Sequence, residues 1–472
     1  MHVVDLTIIA LYLLAVLAVG AYFYRRQSRT DEYFVGDRKM GAGHIGLSVV
    51  ATDVGGGFSI GLGGLGFAMG LSGSWLLFTG LVGAWLAAVI LIPRVKALGD
   101  RFGWLSYPDY LEHRFDRRAR ILAAAVSAIG YAGFVGAQIL AGAKLSSAAF
   151  DLELHTAVWI MAAVVVGYTA FGGLQAVVYT DTVQWLILLG GLLLFALPFG
   201  WIEVGGWSGL QAGLPAPHFD LLNIAPLKLL TWGLTIVPIW FVGMTLYQRI
   251  YATKDLRSAK RAWYFAGLLE YPTMAFIGVG LGMMGRVLYP GAESEMGLPL
   301  LIKNVLPIGV AGLVIAAYFS AIMSTADSCL LASVGNVVGD FYLKLTKAKV
   351  SDRRVLRLSR LLTVGIGLAS VIVALALPKV LDAILLAYAF MVSGLFAPTL
   401  AGLVWKRASA TAAFWSMLAG GGAAVVLSLV PSLCPVEEPI LIALPLSAVV
   451  MVLVSLIAPR RSVAAVPKTA DP

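Results

Sequence analysis

The chain has 472 residues, of which 60% are hydrophobic and 12% are charged, and its mean hydropathy is +0.88. This composition excludes an ordinary soluble globular protein and is typical of a polytopic membrane protein. The formal net charge of +9 does not by itself indicate a nucleic-acid partner, because basic residues also accumulate on one side of membrane proteins.

Apolar windows long enough to cross a bilayer as a helix recur from one end of the chain to the other. We therefore expect an all-α polytopic membrane protein with about thirteen transmembrane helices. The windows fall near residues 5–24, 42–70, 74–93, 121–149, 155–172, 179–201, 229–248, 263–285, 307–339, 356–377, 380–404, 408–430 and 439–458. The longest polar interruption, residues 94–120, is too short for a soluble domain with its own core. Function is therefore expected between the helices.

The basic residues are distributed unevenly between the two sides of the predicted bundle. Assigning the loops to alternate sides places 29 of the 34 Lys and Arg residues on one side. This positive-inside pattern predicts a multi-pass protein of the cell membrane with its N-terminus outside and its C-terminus in the cytoplasm. The charge thus reflects topology, and no nucleic-acid partner is expected.

Residues 49–64 read VVATDVGGGFSIGLGG, in which one carboxylate, Asp53, is separated by a single residue from three consecutive glycines in an apolar span. A charge at the bilayer centre costs about 2.5–3.5 kcal/mol on insertion scales. A helix break there leaves backbone groups without partners, unless protein or a water-filled cavity surrounds them, and its carbonyls can coordinate a small cation. Close helix packing could explain the glycines alone, but the adjacent Asp53 favours a binding site.

A second interruption occurs at Pro238 and Gly243, within the apolar span near 229–248. This span is the sixth helix when the span at 42–70 is counted as the first of ten. Each group of five helices then begins with a broken helix, and the two groups have opposite orientations in the membrane because five is odd. The sequence therefore predicts an inverted five-plus-five helix repeat with discontinuous first and sixth core helices, typical of transporters with a midplane site.

Three further acidic residues fall within apolar spans, namely Asp181, Glu270 and Asp327. Each is a candidate for a functional site, because ionisable groups are costly inside a membrane. Asp181 could instead lie at a solvated helix end, and Glu270 could simply be protonated and hydrogen-bonded between helices. Small or hydroxyl-bearing residues around Asp327 recur at spacings of three and four, on one helix face: Ala321, Ser324, Thr325 and Ser328. Hydroxyl and carbonyl oxygens suit hard cations, although membrane serines often bond back to their own helix.

Four runs resemble the motifs of the sodium:solute symporter family: ATDVGGG (51–57), FGGLQAVVYTDTVQ (171–184), YQRIYATKD (247–255) and AIMSTADSCLL (321–331). The resemblance covers nearly the whole chain and implies a leucine-transporter-type core with one extra helix before it and two after it. The implied segments are an N-terminal helix and cytoplasmic loop (1–41), the first repeat (42–204), an extracellular loop (205–228), the second repeat (229–404), two C-terminal helices (405–460) and a cytoplasmic tail (461–472).

The resemblance also implies which residues bind Na+ as the coupling ion. The main sodium site would be formed by three backbone carbonyls and two hydroxyls, those of Ala51, Val54, Ala321, Ser324 and Thr325. Asp181 matches an acid that is linked in some members to a second sodium site, together with Ser324 and the positions of Asp327 and Ser328. The sialic-acid branch has serine where this chain has Asp327, so the count of one or two sodium ions stays open, and a proton could replace one of them.

These observations predict a sodium-coupled secondary active symporter that takes up a small organic solute by alternating access. Proton-coupled symport is the alternative, and an ion channel is a more distant one because no tandem carbonyl filter is visible. Helix positions at the midplane suggest these pocket-lining residues: Asp53, Phe58, Ser59, Gln138, Trp240 and Glu270. The solute could be an amino acid, quaternary amine, sugar or carboxylate, and the buried acids favour a cation or zwitterion. We expect a monomer in the lipid bilayer and no enzyme, since no histidine has a partner at catalytic spacing.

Overall fold

The computed structural model describes residues 1–26, 38–170, 174–346 and 351–458. This part of the chain is helical and contains an isolated bridge between Met40 and Thr253 but no strand. The predicted all-α fold is thus confirmed. Each of the thirteen apolar windows contains helix.

The helices up to the middle of the chain are α1 (Val3–Arg26), α2 (Ala42–Asp53), α3 (Gly56–Met69), α4 (Trp75–Leu86), α5 (Ile92–Phe102), α6 (Tyr107–Arg114), α7 (Arg117–Phe150), α8 (Leu154–Thr169), α9 (Leu174–Gly191), α10 (Leu197–Glu203) and α11 (Gly206–Gly213). A π-helical segment, Ala87–Leu91, joins α4 to α5, and another, Leu192–Ala196, joins α9 to α10. Both joined pairs therefore continue as long spans.

The remaining helices are α12 (Pro226–Val242), α13 (Met244–Ala252), α14 (Leu256–Leu268), α15 (Ala275–Leu288), α16 (Gly297–Val305), α17 (Val310–Gly335), α18 (Asp352–Ala376), α19 (Val380–Val404), α20 (Ala410–Leu429) and α21 (Ile440–Ile457). The segment Leu269–Met274, whose backbone is extended at Tyr271 (φ −134°, ψ 122°), joins α14 to α15 through a kink, and the π-helical segment Asn336–Tyr342 extends α17.

Nine helices of the described part are long and apolar enough to cross a membrane, or ten if the bent pair α12 and α13 counts as one span. This count takes Gly56–Phe102 as one span of 47 residues, and it places α1 and α8 among the shorter apolar helices. The multi-pass architecture is clear from these lengths, whereas the number of thirteen crossings stays a prediction.

The first core helix is broken where the sequence predicts it. α2 ends at Asp53 and α3 begins at Gly56, while Val54 (φ −104°, ψ 48°) and Gly55 (φ −70°, ψ −170°) leave the helical conformation. A Cβ atom at Gly55 would overlap Thr325 Oγ1 on α17. Glycine is therefore required here because the unwound backbone lies directly against a neighbouring helix.

The sixth core helix is broken at Gly243 rather than at Pro238, which lies inside α12. Gly243 is extended (φ −65°, ψ 114°), and α12 and α13 meet at an angle of 43°. The two breaks therefore confirm the discontinuous first and sixth core helices.

α17 lies at the centre of the bundle and packs against α7, α9 and α1 as well as both halves of the first core helix. All of its residues are buried except Val310 and Leu313. Because α17 is enclosed by protein, its hydroxyl and carboxyl groups must find partners on neighbouring helices.

Candidate functional site

Oxygen atoms from the broken helix and from α17 meet beside the first break. Thr325 Oγ1 lies 2.9 Å from the carbonyl oxygen of Ala51 and 3.1 Å from that of Ala321. The single hydroxyl hydrogen is therefore shared between two carbonyls on different helices. Three of the five predicted sodium ligands are in contact here, and the fourth, Val54, forms the adjacent bend. The Ser324 hydroxyl, the fifth, donates to Asp181.

Asp181 is fully buried, so it does not lie at a solvated helix end. Its carboxylate accepts hydrogen bonds from the hydroxyls of Ser48 on α2 and Ser324 on α17. It also forms an ion pair with Arg249, with 3.2 Å between Oδ2 and Nη2. The predicted second sodium site thus has an arginine of the protein at its centre.

Arg249 is fully buried at the C-terminal part of α13. Its guanidinium contacts four residues besides Asp181: Ser48 Oγ at 3.0 Å, the Thr245 carbonyl at 3.2 Å, Thr52 Oγ1 at 2.5 Å and Ser328 Oγ at 2.8 Å. It therefore joins both broken helices to α9 and α17. Arg249 was not selected from the sequence as a site residue. The signal was its place in the run YQRIYATKD, directly after an apolar span.

Asp327 is also fully buried but belongs to a different hydrogen bond. Its carboxylate accepts from the hydroxyl of Thr169, at the end of α8. The structure therefore brings Asp181, Ser324 and Ser328 together around Arg249, whereas Asp327 is held apart by α8.

Asp53 and Glu270 are two further buried acids, and Asp53 is the last residue of α2 before the first break. Asp53 Oδ1 accepts a hydrogen bond of 3.2 Å from Tyr388 Oη on α19. Glu270 lies in the kinked segment between α14 and α15 and is fully buried. Neither oxygen of Glu270 has a hydrogen-bond partner within the described residues.

A small cavity of about 10 Å³, room for the centre of roughly one water molecule, connects the two breaks. Its lining residues come from both broken helices and from α7, α17 and α19: Thr52, Asp53, Tyr131, Ile239, Gly243, Thr245, Leu246, Cys329 and Tyr388. The break points of two inverted repeats thus border one space, as expected of a transporter site near the midplane.

The other predicted pocket residues occupy different positions around this space. Phe58 packs against Tyr388 with 6.2 Å between ring centroids. Ser59 Oγ donates to the Gly55 carbonyl, and Gln138 Oε1 accepts from the Gly57 amide at 3.2 Å, so both side chains hold the break itself. Trp240 packs edge-to-face on Trp263, 6.5 Å between centroids.

Two tyrosines of the cavity, Tyr131 and Tyr388, were not selected from the sequence. Tyr131 Oη hydrogen-bonds Thr245 Oγ1 at 3.0 Å, and Tyr388 stacks on Phe134 with 5.0 Å between centroids. The sequence around a single aromatic residue in an apolar helix does not show whether that residue lines a cavity or faces lipid.

The comparisons with known proteins agree with this architecture. The family model described as SSF: Sodium:solute symporter family matches residues 33–420. The high-affinity proline transporter PutP of Bacillus subtilis (strain 168) is 28% identical over 433 residues, which cover 87% of this chain and 89% of that protein. The sodium/glucose cotransporter 1 of Oryctolagus cuniculus is 26% identical over 472 residues, covering 88% and 70%.

Two solved structures share the fold. The substrate-bound, outward-open structure of a Na+-coupled sialic acid symporter has a TM-score of 0.80 at 22% identity and covers 97% of this chain and 98% of that one. Mhp1, a nucleobase-cation-symport-1 family transporter in a closed conformation, has a TM-score of 0.61 at 15% identity and covers 92% and 98%. At these identities the likeness extends to the fold alone.

The family match spans most of the chain, and the relatives are transporters. It favours sodium over a proton as the coupling ion, and it supports symport rather than a channel. The chain belongs to the sodium:solute symporter family and is a membrane-embedded, sodium-coupled symporter that takes up a small organic solute by alternating access.

Proposed function

We propose that the sodium ion binds between the unwound end of α2 and the middle of α17. Its ligands are the carbonyls of Ala51, Val54 and Ala321 and the hydroxyls of Ser324 and Thr325. The observation that carries this proposal is the position of Thr325 Oγ1, within 3.1 Å of carbonyls on both helices. A dehydrated sodium ion needs several oxygen ligands in one place, and rotating this hydroxyl would free all three oxygens to coordinate it.

We propose further that one sodium ion, rather than two, drives each transport cycle. The guanidinium of Arg249 already neutralises Asp181 and occupies Ser328. A sodium ion beside Asp181 would meet the positive charge of this guanidinium, and the carboxylate charge that would attract the ion is already compensated by it. Asp181, Asp327 and Ser328 are therefore not expected to hold a second sodium.

The energy of a single ion is sufficient for concentrative uptake. One sodium ion that moves down ~100 mV gains about 2.3 kcal/mol, and a ~10-fold concentration gradient adds about 1.4 kcal/mol. The sum of about 3.7 kcal/mol corresponds to roughly 500-fold accumulation of a neutral solute.

Coupling follows from the helices that the ion joins. Sodium bound between α2 and α17 stabilises the conformation in which the first break faces the cavity. In this conformation the solute binds with higher affinity than it does without sodium. Ser324 is shared between the sodium site and Asp181. Sodium binding therefore alters the hydrogen bonds of the Asp181 and Arg249 cluster, which holds both broken helices.

Several properties of the transporter follow from the sequence alone and are part of this proposal. The distribution of basic residues supports an outside N-terminus and a cytoplasmic C-terminus in the cell membrane. The proposed unit is a monomer with thirteen crossings and the segment boundaries given above. The solute is an amino acid, quaternary amine, sugar or carboxylate.

Purified protein in proteoliposomes tests the sodium site directly. Radiolabelled amino acids, sugars, carboxylates and amines are offered with and without an inward sodium gradient, and 22Na uptake is measured with the accumulated solute. We expect one sodium per solute and a Hill coefficient near 1 for sodium. Thr325→Ala should raise the half-saturating sodium concentration about tenfold or more, because a ligand is lost, whereas Thr325→Ser should not. Unchanged sodium dependence in Thr325→Ala would remove this residue from the site, and a ratio of two would refute the single ion.

A further inference from the structure

An apolar groove lies on the outer surface of the bundle, where α7, α19 and α20 pack against one another. It is lined by Leu122 and Val126 of α7, by Phe390 of α19 and by one face of α20 within residues 417–426. Its volume is about 280 Å³, and all of its lining residues are apolar. Leu418 at its edge is exposed. The groove therefore opens toward the hydrocarbon of the bilayer, away from the cavity between the two breaks.

Three consecutive glycines of α20 lie at this groove, and contacts within the protein account for two of them. A Cβ atom at Gly420 would overlap the carbonyl oxygen of Ser393 on α19, and Gly421 packs against Gly394 of the same helix. A Cβ atom at Gly422 would meet no atom of the described residues within 4 Å, although Gly422 lines the groove. Glycine is less stable than alanine inside a helix. The space beside Gly422 is therefore open to a molecule from outside the protein.

A basic side chain stands at one end of the groove. Arg118 lies in the first turn of α7, and Leu122 and Val126 follow it at intervals of four residues. Residues at this spacing share one face of a helix, so Arg118 lies on the face that lines the groove, one turn closer to the membrane surface. Arg118 is exposed, and its guanidinium makes no hydrogen bond or ion pair with the described residues.

The loop between α19 and α20 brings a second basic side chain to the same end. Arg114, just before α7, donates to the carbonyl oxygens of Gly402 at 3.0 Å and Trp405 at 2.9 Å, which fixes this loop beside the start of α7. The exposed Lys406 directly follows Trp405. The sequence has no Asp or Glu at all between residues 383 and 436. This end of the groove is therefore positively charged, with no acid of α20 or its preceding loop to compensate it.

We propose that the groove binds one phospholipid with a negatively charged headgroup. An acyl chain lies along Val126 and Gly422, where it is buried among apolar side chains. The phosphate group lies beside Arg118 and Lys406, since basic residues at a membrane surface attract anionic lipids. This end is on the side where the distribution of basic residues predicts the cytoplasm, and the cytoplasmic leaflet is the one with a negative surface potential.

A second copy of the chain is the rival occupant of the groove. One turn of an α-helix, about 10 Å across and 5.4 Å long, takes up about 400 Å³, whereas the groove has about 280 Å³. Two copies inserted in the same membrane also have the same orientation, so pairing through this face would bring the Arg118 and Lys406 side chains of both copies to the same end. Such a juxtaposition of like charges is unfavourable, whereas an anionic lipid compensates them.

Mass spectrometry of the intact, detergent-solubilised protein distinguishes these occupants. The protein is incubated with equal amounts of phosphatidylglycerol and phosphatidylcholine that carry the same acyl chains, and the bound lipid is identified from the mass. The variants are the double substitution Arg118→Gln, Lys406→Gln and the substitution Gly422→Leu. The matched controls are Arg353→Gln, at an exposed arginine, and Gly365→Leu, at an exposed glycine whose Cβ atom would also meet nothing within 4 Å.

We expect the unmodified protein to retain one phosphatidylglycerol in preference to phosphatidylcholine. The double substitution should lower its affinity for phosphatidylglycerol at least about tenfold, because two basic contacts with the headgroup are lost, and should leave phosphatidylcholine binding within about twofold. Gly422→Leu should abolish binding of this lipid, because the leucine side chain fills the groove. Both controls should match the unmodified protein, and melting temperatures verify that each variant is folded.

Three results would overturn the inference. Equal retention of the two lipids by the unmodified protein would show that the basic end does not select the headgroup. Unchanged phosphatidylglycerol binding in the folded double variant or in folded Gly422→Leu would place the lipid elsewhere. A dimer that is detected by light scattering and lost in Gly422→Leu would assign the groove to a second copy of the chain.

Discussion

Removing Arg249 tests whether this arginine supplies the positive charge of the Asp181 cluster. Arg249→Met leaves a fully buried carboxylate without its cation, and breaking a buried pair in this way costs about 3–5 kcal/mol. Asp181→Asn leaves the guanidinium unpaired, with a loss of similar size. In the double variant both charges are absent, so the combined loss should be smaller than the sum of the two by about 2–3 kcal/mol.

The free energy of unfolding is measured by reversible SDS titration in mixed micelles for the two single variants and the double variant. Arg407→Met is the matched control, since Arg407 is exposed and donates only to the Leu456 carbonyl within the described residues; we expect a change within about 0.5 kcal/mol there. Sodium titration of the Arg249→Met variant adds a second readout, because Asp181 becomes free to bind an ion and the Hill coefficient should rise above 1. Additive losses in the double variant and an unchanged Hill coefficient would refute the assigned role of Arg249.

Two further substitutions test the close approach at the first break and a second buried ion pair. Gly55→Ala should abolish sodium-driven uptake, because its Cβ would overlap Thr325 Oγ1, whereas Gly41→Ala meets nothing within 4 Å and should be neutral; equal uptake by both variants in proteoliposomes would contradict the packing. Lys144→Met should destabilise the protein by about 3–5 kcal/mol, because Lys144 Nζ lies 2.7 Å from Glu295 and both side chains are buried; an SDS titration within 1 kcal/mol of the unmodified protein would show that the pair is not needed.

The sequence was sufficient to locate the breaks and the acids within the membrane. Three consecutive glycines after Asp53 predict an unwound segment because glycine tolerates the conformation and lacks a side chain. The hydroxyl face around Thr325 follows from helical spacing, and the structure places it against that segment. Both features are local in sequence, which is why pattern and composition could identify them.

Partners that are distant in sequence could not be deduced in the same way. Arg249 pairs with Asp181, 68 residues away, and Tyr388 donates to Asp53 across 335 residues. No periodicity connects such positions, because their contact depends on how the two repeats pack. An arginine next to an apolar span also fits the positive-inside pattern. The sequence therefore offered no reason to expect that Arg249 is buried.

The bridge between Met40 and Thr253 has a consequence for how the molecule moves. The Met40 amide donates to the Ala252 carbonyl at 3.0 Å, and the Lys254 amide donates to the Met40 carbonyl at 3.1 Å. The N-terminal end of α2 and the C-terminal end of α13 are therefore joined by two main-chain hydrogen bonds. Substitution of the side chains does not remove these bonds. During opening, we expect these two half-helices to tilt together, with the non-helical backbone at Gly55 and Gly243 acting as the hinges.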